Sequence, residues 1–184
     1  GPTPMEGRHD ALCATAEMIL KVNELPGKMG GNMVATVGEI QNYPNSRNII
    51  PDKVHFTVDI RSWDDDHAIK AWEEVKADFE AIAHRRGCPI KIEETWRVEH
   101  SPFDEKLVQR VLSTAENLGY SNLHMVSGAG HDASYMNQIA PTAMIFVPSI
   151  GGRSHVEVEE TTWEDCEAGG NVLLHCLIQS ANEK

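Results

Sequence analysis

Positive charge is scarce in this 184-residue chain, where 16 lysines and arginines stand against 28 aspartates and glutamates for a formal net charge of -12. So acidic a surface argues against a sequence-independent grip on phosphate backbones or anionic lipid, and nucleic acid and membrane are not expected partners. Long apolar runs are missing as well. The longest, around residues 143–147, is bounded by Pro141 and Pro148, well short of the ~18 residues that span a bilayer. No basic stretch followed by an apolar one opens the chain, so no secretory leader is read and a cytoplasmic location is the expectation. The four cysteines, Cys13, Cys88, Cys166 and Cys176, form no C-x-x-C pair and are expected to be buried or half-buried free thiols. With neither a G-x-S-x-G elbow nor a P-loop, a serine hydrolase or a phosphotransferase is disfavoured.

What is present is strong periodicity. Residues 10–25 place Leu12, Ala16, Ile19 and Val22 or Asn23 on one face, an amphipathic helix that Pro26-Gly27 is expected to stop. A strand is expected over 32–40. In a second, over 54–61, Val54, Phe56, Val58 and Ile60 alternate with His55, Thr57, Asp59 and Arg61, so that one face is core and the other wet. The acidic run at 64–66 suits the start of a helix that buries Ile69, Trp72, Val75, Phe79 and Ile82 before Gly87 ends it. Alternation over 90–98 predicts a third strand. The order helix, strand, strand, helix, strand is that of a split βαβ sandwich lacking its first strand, which points to residue 1 not being the natural start.

Beyond residues 97–102 the pattern becomes helix, strand, helix, strand, helix, an α/β layer. Leu107, Val108, Val111, Leu112, Ala115 and Leu118 stripe the first helix, strands are expected at 122–126 and 143–147, and Thr161 with Glu164 fits a capping box for the last helix. The fold class expected is therefore α/β, in two parts, 1–97 and 98–184.

Two glycine loops leave the carboxyl ends of the two later strands, where open α/β sheets place ligands. The first carries Gly128, Ala129, Gly130 and His131; the second ends at Ser154 and His155. The run GAGHDA matches G-x-G-x-x-A, but the acidic residue a dinucleotide site needs about 20 positions on is replaced by Val147, Pro148 and Ser149. His131 at a helix start would stay neutral and exchange hydrogen bonds, and His155 on its loop has the character of a zinc or manganese ligand or of a plain surface residue. Arg61 on the wet strand face, with Asn48 on the preceding loop, suits a carboxylate; the alternative is a salt bridge to Asp59 or to a helix.

These residues also carry a resemblance. GPTPM followed by Arg8-His9-Asp10-Ala11, then ATVGEI, RNIIP, VDIRS, SGAGHDA, PTAMIFVPS, GGRSH and EDCEAG-x-x-VL, resembles the N-carbamoyl-L-amino-acid hydrolases, allantoate amidohydrolases and β-ureidopropionases, in order and over the whole chain. The resemblance implies a ferredoxin-like lid and dimerisation domain (1–97, first strand missing) and the C-terminal part of a zinc-aminopeptidase-like catalytic domain (98–184). It implies that Asn48 and Arg61 bind the substrate carboxylate in the partner subunit's site, that Gly128, Ala129, Gly130 and His131 line the substrate site, and that His155 is a metal ligand with Glu159 four positions on. In such enzymes two divalent ions (zinc, manganese, cobalt or nickel) and a glutamate base direct water onto a carbamoyl or ureido carbon. The remaining metal ligands and the base match nothing in this chain, so it is expected to be a C-terminal portion, inactive alone, whose partners are the missing N-terminal part, a second copy and a ureido acid. Alternatives are a non-catalytic dimerisation and carboxylate-binding fragment, and an aminoacylase or dipeptidase of the same superfamily.

Overall fold

The computed structural model describes residues 1–183, which divide into two compact units, the first Gly1–His100 and the second from Ser101 onward. Both mix helix with extended chain, and none of the helices described is long and apolar enough to cross a membrane.

In the first unit, helices α1 (Ala11–Met29) and α2 (Asp65–Arg86) pack on a hairpin of four short strands, β1 (Val34–Thr36), β2 (Ile40–Tyr43), β3 (Lys53–Phe56) and β4 (Asp59–Arg61). The two strands expected at 32–40 and 54–61 are these four. Each breaks midway, because the first arm carries one extra residue: Thr36 pairs with Asp59 and Ile40 with Phe56, so four steps on one arm match three on the other. The Thr57 N–H donates to the Glu39 carbonyl at 3.1 Å across this bulge. Alternation survives it, with Val54, Phe56, Val58 and Ile60 turned toward the core and His55, Thr57, Asp59 and Arg61 exposed. Phe56 meets Phe79 of α2 edge to face at 5.6 Å between ring centres.

The core joins Ala14, Met18, Val22 and Leu25 of α1 with Met33 and with Ala71, Val75, Phe79, Ile82 and Ala83 of α2. The buried face of α1 therefore runs through Ala14, Thr15, Met18, Val22 and Leu25, not through Leu12, Ala16 and Ile19 as periodicity suggested; several near-equivalent apolar stripes exist on this helix, and the packing of α2 and the hairpin selects among them. Nor does Pro26 stop α1. Only one turn of helix follows it, so its missing N–H costs a single bond, while Met29 packs on the core and the Gly30 N–H closes on the Pro26 carbonyl at 2.9 Å. Helix α2 has the ends its sequence announces. Asp64 accepts from the His67 N–H at 3.0 Å, and Gly87 adopts the left-handed conformation at φ 63°. Ile69 is exposed rather than buried, since the buried face of α2 runs through Ala71, Val75, Phe79, Ile82 and Ala83. A carboxylate clamp joins the helices: Glu17 accepts from Arg85 and from Arg86, whose Nε lies at 2.9 Å.

The third strand expected at 90–98 is extended chain without a ladder. Ile92 packs on the core, but no neighbouring strand among the described residues supplies the bonds that alternation alone cannot make. Its far end is held by Asp65, whose carboxylate accepts the His100 N–H at 3.0 and 3.1 Å.

The second unit contains α3 (Glu105–Asn117), the short α4 (Asp132–Met136), a 3₁₀ turn (Ile150–Gly152) and α5 (Trp163–Asn182). Its buried cluster is small: Ala115, Val172 and Cys176, with Val111, Leu118, Tyr120 and Ile145 against it. The strands expected at 122–126 and 143–147 are likewise extended without ladders. The second is half-buried at Ala143, Met144 and Ile145 and exposed at Phe146 and Val147, rather than a buried strand. A Cβ on Gly169 would come within 2.5 Å of Val147 Cγ1, so that glycine sets how closely α5 approaches the run. The capping box of α5 lies one residue later than expected: Thr162 Oγ1 accepts the Asp165 N–H at 3.1 Å and donates to the Asp165 carboxylate at 2.7 Å. All four cysteines are free, but Cys13 and Cys166 are exposed on helix surfaces, where the thiols had been expected inside.

Candidate functional site

The residues singled out by sequence fall in three places. Asn48 lies on the loop joining β2 to β3, exposed, with its Oδ1 accepting from the Ser46 hydroxyl at 3.4 Å. The chain's first residues pack there: a Cβ on Gly1 would stand 2.7 Å from the Asn48 carbonyl oxygen. Arg8 organises that segment by donating to the carbonyls of Gly1 at 2.9 Å and of Thr3 at 2.9 Å from Nε, and Asp10 caps α1 by accepting from the Cys13 N–H at 3.0 Å. The motif GPTPM-x-x-R-x-DA is thus a closed loop laid against Asn48, a structural role that its sequence did not disclose.

Arg61 ends the hairpin at the opposite extreme. Its Nη2 donates to Asp59 Oδ2 at 2.7 Å and its Nε to the same carboxylate at 3.1 Å; the Asp59 carboxylate raises the guanidinium pKa above its ordinary value. The salt bridge weighed as the alternative role for Arg61 is therefore present, on a side chain that stays half exposed to solvent. Eight steps along one arm of the hairpin lead from Lys53 to Arg61, on the order of 25 Å at ~3.3 Å per residue. Helix α1 gives the same measure independently. Its first residue donates to the Pro51 carbonyl at 3.2 Å, and its last lies a short turn before Val34, the cross-strand partner of Arg61. One chain accordingly carries Asn48 on the loop beyond one end of its hairpin and Arg61 at the other end.

In the second unit the glycine loop is tied by a serine. Ser127 Oγ lies 2.8 Å from His131 Nε2, accepts the Ala129 N–H at 3.1 Å and donates to the Ala129 carbonyl at 3.1 Å. His131 is the N-cap residue of α4, makes no side-chain cap bond, and meets the Phe146 ring edge to face at 5.5 Å. Ser127 had not been singled out as a site residue; a hydroxyl four positions before a histidine across a glycine turn was the available signal.

His155 follows the 3₁₀ turn in the left-handed conformation, φ 59°, and its backbone N–H donates to Glu159 Oε2 at 2.9 Å. The ring is exposed, and it shares no hydrogen bond with His131 among the described residues. The pairing of His155 with the acid four positions on is met in space, through the backbone. Among the described residues no three histidine, cysteine or acidic side chains gather to hold a metal ion, so the donors present do not amount to a two-metal centre.

Comparison with known proteins agrees over the full length. The family model for Peptidase family M20/M25/M40 matches residues 6–179. An N-carbamoyl-L-amino-acid amidohydrolase of Rhizobium meliloti is 41% identical over 186 residues, covering 98% of this chain and 44% of that protein. An allantoate amidohydrolase of Bacillus subtilis is 36% identical over 186 residues, again covering 98% and 44%. Among solved structures, an amidase of the hydantoinase/carbamoylase family from Burkholderia multivorans superposes with a TM-score of 0.92 at 43% identity, covering 100% of this chain and 44% of that one. The chain spans less than half the length of the relatives it matches.

Proposed function

The chain belongs to peptidase family M20/M25/M40, and we propose that it is the C-terminal portion of a metal-dependent amidohydrolase that cleaves the carbamoyl or ureido C–N bond of N-carbamoyl amino acids or related ureido acids. The observation that carries this reading is the 41% identity to an N-carbamoyl-L-amino-acid amidohydrolase across 98% of the chain. Residues 1–97 serve as the lid and dimerisation domain, lacking its first strand, and 98–184 as the C-terminal part of the catalytic domain. The unladdered run at 90–98 and the apolar residues exposed on the second unit support the view that more of the enzyme packs on both.

Each residue then has a task. Arg61 and Asn48 hold the substrate carboxylate, the guanidinium by a charge-assisted fork and the amide by a single donor. Because one hairpin holds them at opposite ends, a carboxylate gripped by both takes Arg61 from one copy and Asn48 from a second, which makes the working unit a homodimer. The GAG loop and His131 line the ureido end. His155 contributes one ligand; one imidazole does not hold two ions, so the other ligands and the glutamate base lie outside these 184 residues, and the chain alone is inactive. His155 would be one of the residues holding a divalent ion, and the chemistry such an ion would supply is water activation and Lewis-acid polarisation of the carbonyl.

Mixed dimers of the complete enzyme test this. Asn48→Ala and Arg61→Ala each lower kcat/KM on N-carbamoyl substrates about 10- to 100-fold. Co-assembled, they recover activity toward about a quarter of wild type, since random pairing makes half the dimers hybrid and each hybrid has one intact site. No recovery on mixing would refute the division of labour between copies. Ureido hydrolysis by the purified 184-residue chain would refute the need for the rest of the enzyme, and a complete enzyme inert toward the whole ureido panel would refute the function itself.

A further inference from the structure

The hydroxyl of Ser127 touches three polar groups at once, and counting its proton and lone pairs decides the state of its neighbour. A serine hydroxyl has one proton and two lone pairs. The Ala129 carbonyl can only accept and the Ala129 N–H can only donate, so all three contacts are satisfied together when the proton is given to the carbonyl at 3.1 Å and one lone pair receives the N–H at 3.1 Å. What is left for His131 Nε2, 2.8 Å away, is a lone pair. The ring nitrogen therefore meets it as a donor, N–H to oxygen.

We propose that Ser127 is a positioning residue that fixes the ring proton of His131 on Nε2, so that whenever the ring is neutral Nδ1 is left as a bare hydrogen-bond acceptor. Three observations converge on this. The Ser127 to Ala129 exchange closes a small ring within the glycine turn, so the oxygen is fixed before the imidazole arrives. The Phe146 edge, at 5.5 Å and 69°, restrains the ring from the side. Nδ1 makes no cap bond to α4 and has no partner among the described residues, although the position of His131 at the helix start would permit one.

The consequence is chemical selection. An acceptor nitrogen takes a ligand that presents N–H, as the terminal NH2 of a carbamoyl or ureido group does, and offers nothing to the methyl of an N-acetyl group in the same place. The identity of that ligand rests on the function proposed above; the tautomer does not. A neutral imidazole whose second nitrogen is fixed by a neighbour is the usual way a protein decides which ring atom faces its ligand.

The test uses the complete enzyme labelled with ¹⁵N-histidine, at a pH where the imidazole is neutral, with His131 assigned by its disappearance in His131→Gln. Long-range ¹H–¹⁵N correlation is expected to show protonated Nε2 and bare Nδ1 as a single state, retained in Ser127→Thr and replaced by a mixture of tautomers in Ser127→Ala. In parallel, kcat/KM for N-carbamoyl substrates falls about 10- to 100-fold in Ser127→Ala, the usual effect of losing a residue that orients a site histidine, and recovers in Ser127→Thr. A wild-type His131 protonated at Nδ1, or a Ser127→Ala spectrum identical to wild type, overturns the proposal. A single Nε2–H state in an enzyme that hydrolyses no ureido compound supports the lock and overturns only the function.

Discussion

The two units have similar apolar content in their helices and very different interiors. In the first, ten buried residues from α1, α2 and Met33 form one continuous core, closed below by the inward face of the hairpin. In the second, the buried apolar cluster has three residues among those described, while α5 leaves Leu173, Leu174, Leu177 and Ile178 exposed and Trp163 stands 87% open to solvent. Helix caps and amphipathic stripes are as good in one as in the other. What differs is whether the apolar stripe has something to meet, and a stripe unmet stabilises nothing.

This contrast can be broken or sharpened by substitution. Phe79→Ala removes an aromatic ring from the closed core and from its contact with Phe56; it is expected to cost about 3–5 kcal/mol by urea denaturation. Leu177→Ala on the open face of the second unit is expected within ~0.5 kcal/mol in the same assay on this chain. Comparable losses would mean that the open face is covered in solution. Next in size is Gly87→Ala. The left-handed C-cap at φ 63° costs an L-residue about 1–2 kcal/mol, and a Cβ there would overlap the His9 ring; pairing it with His9→Ala should return only the part due to the overlap.

Smaller still are the caps. Asp64→Ala and Thr162→Ala each remove one side-chain acceptor at a helix start, about 1 kcal/mol apiece. If the units unfold separately, each substitution lowers only its own transition in calorimetry; a shared downward shift would show one cooperative body.

The last effect is confined to acid. Arg85 and Arg86 hold the Glu17 carboxyl at a pKa of about 2, below its ordinary 4.5. A depressed acid contributes its stability in full above the unfolded pKa and loses it as pH falls through the folded value, so the clamp weakens between about pH 4.5 and pH 2. Glu17→Gln should flatten that part of the first unit's urea midpoint against pH and leave the second unit's unchanged; an equally steep acid limb in the variant would place the titrating group elsewhere.

Legibility in the sequence follows the range of the interaction. Asp64 and Gly87 bracket α2 as their chemistry requires, and the alternation from Val54 to Arg61 holds through the bulge, because caps and pleats depend on neighbours a few residues away. The runs at 90–98, 122–126 and 143–147 carry the same alternation or apolarity and form no ladder, because a strand needs a second strand and nothing in the segment itself supplies one. At the candidate site the residue types were readable: a guanidinium on a wet strand face, a histidine after a glycine turn, a histidine before an acid. Asp59 was legible as the rival claimant for Arg61 and holds it. The contacts of Ser127 and Arg8 were not legible, because their partners here are backbone groups or ring atoms, which leave no mark in composition.

By itself the sequence determined the order of the long helices, both ends of α2, the inward face of the hairpin and the set of motifs that places the chain in its family, all of which rest on local backbone preference and side-chain type. Tertiary structure alone decided which stripe of α1 is buried, that Asn48 and Arg61 stand at opposite ends of one hairpin, and that the Ser127 hydroxyl meets His131 Nε2. Each of these depends on a register, a packing choice or a turn closure that sets distances between groups, and distance is what hydrogen bonds and shared ligands require.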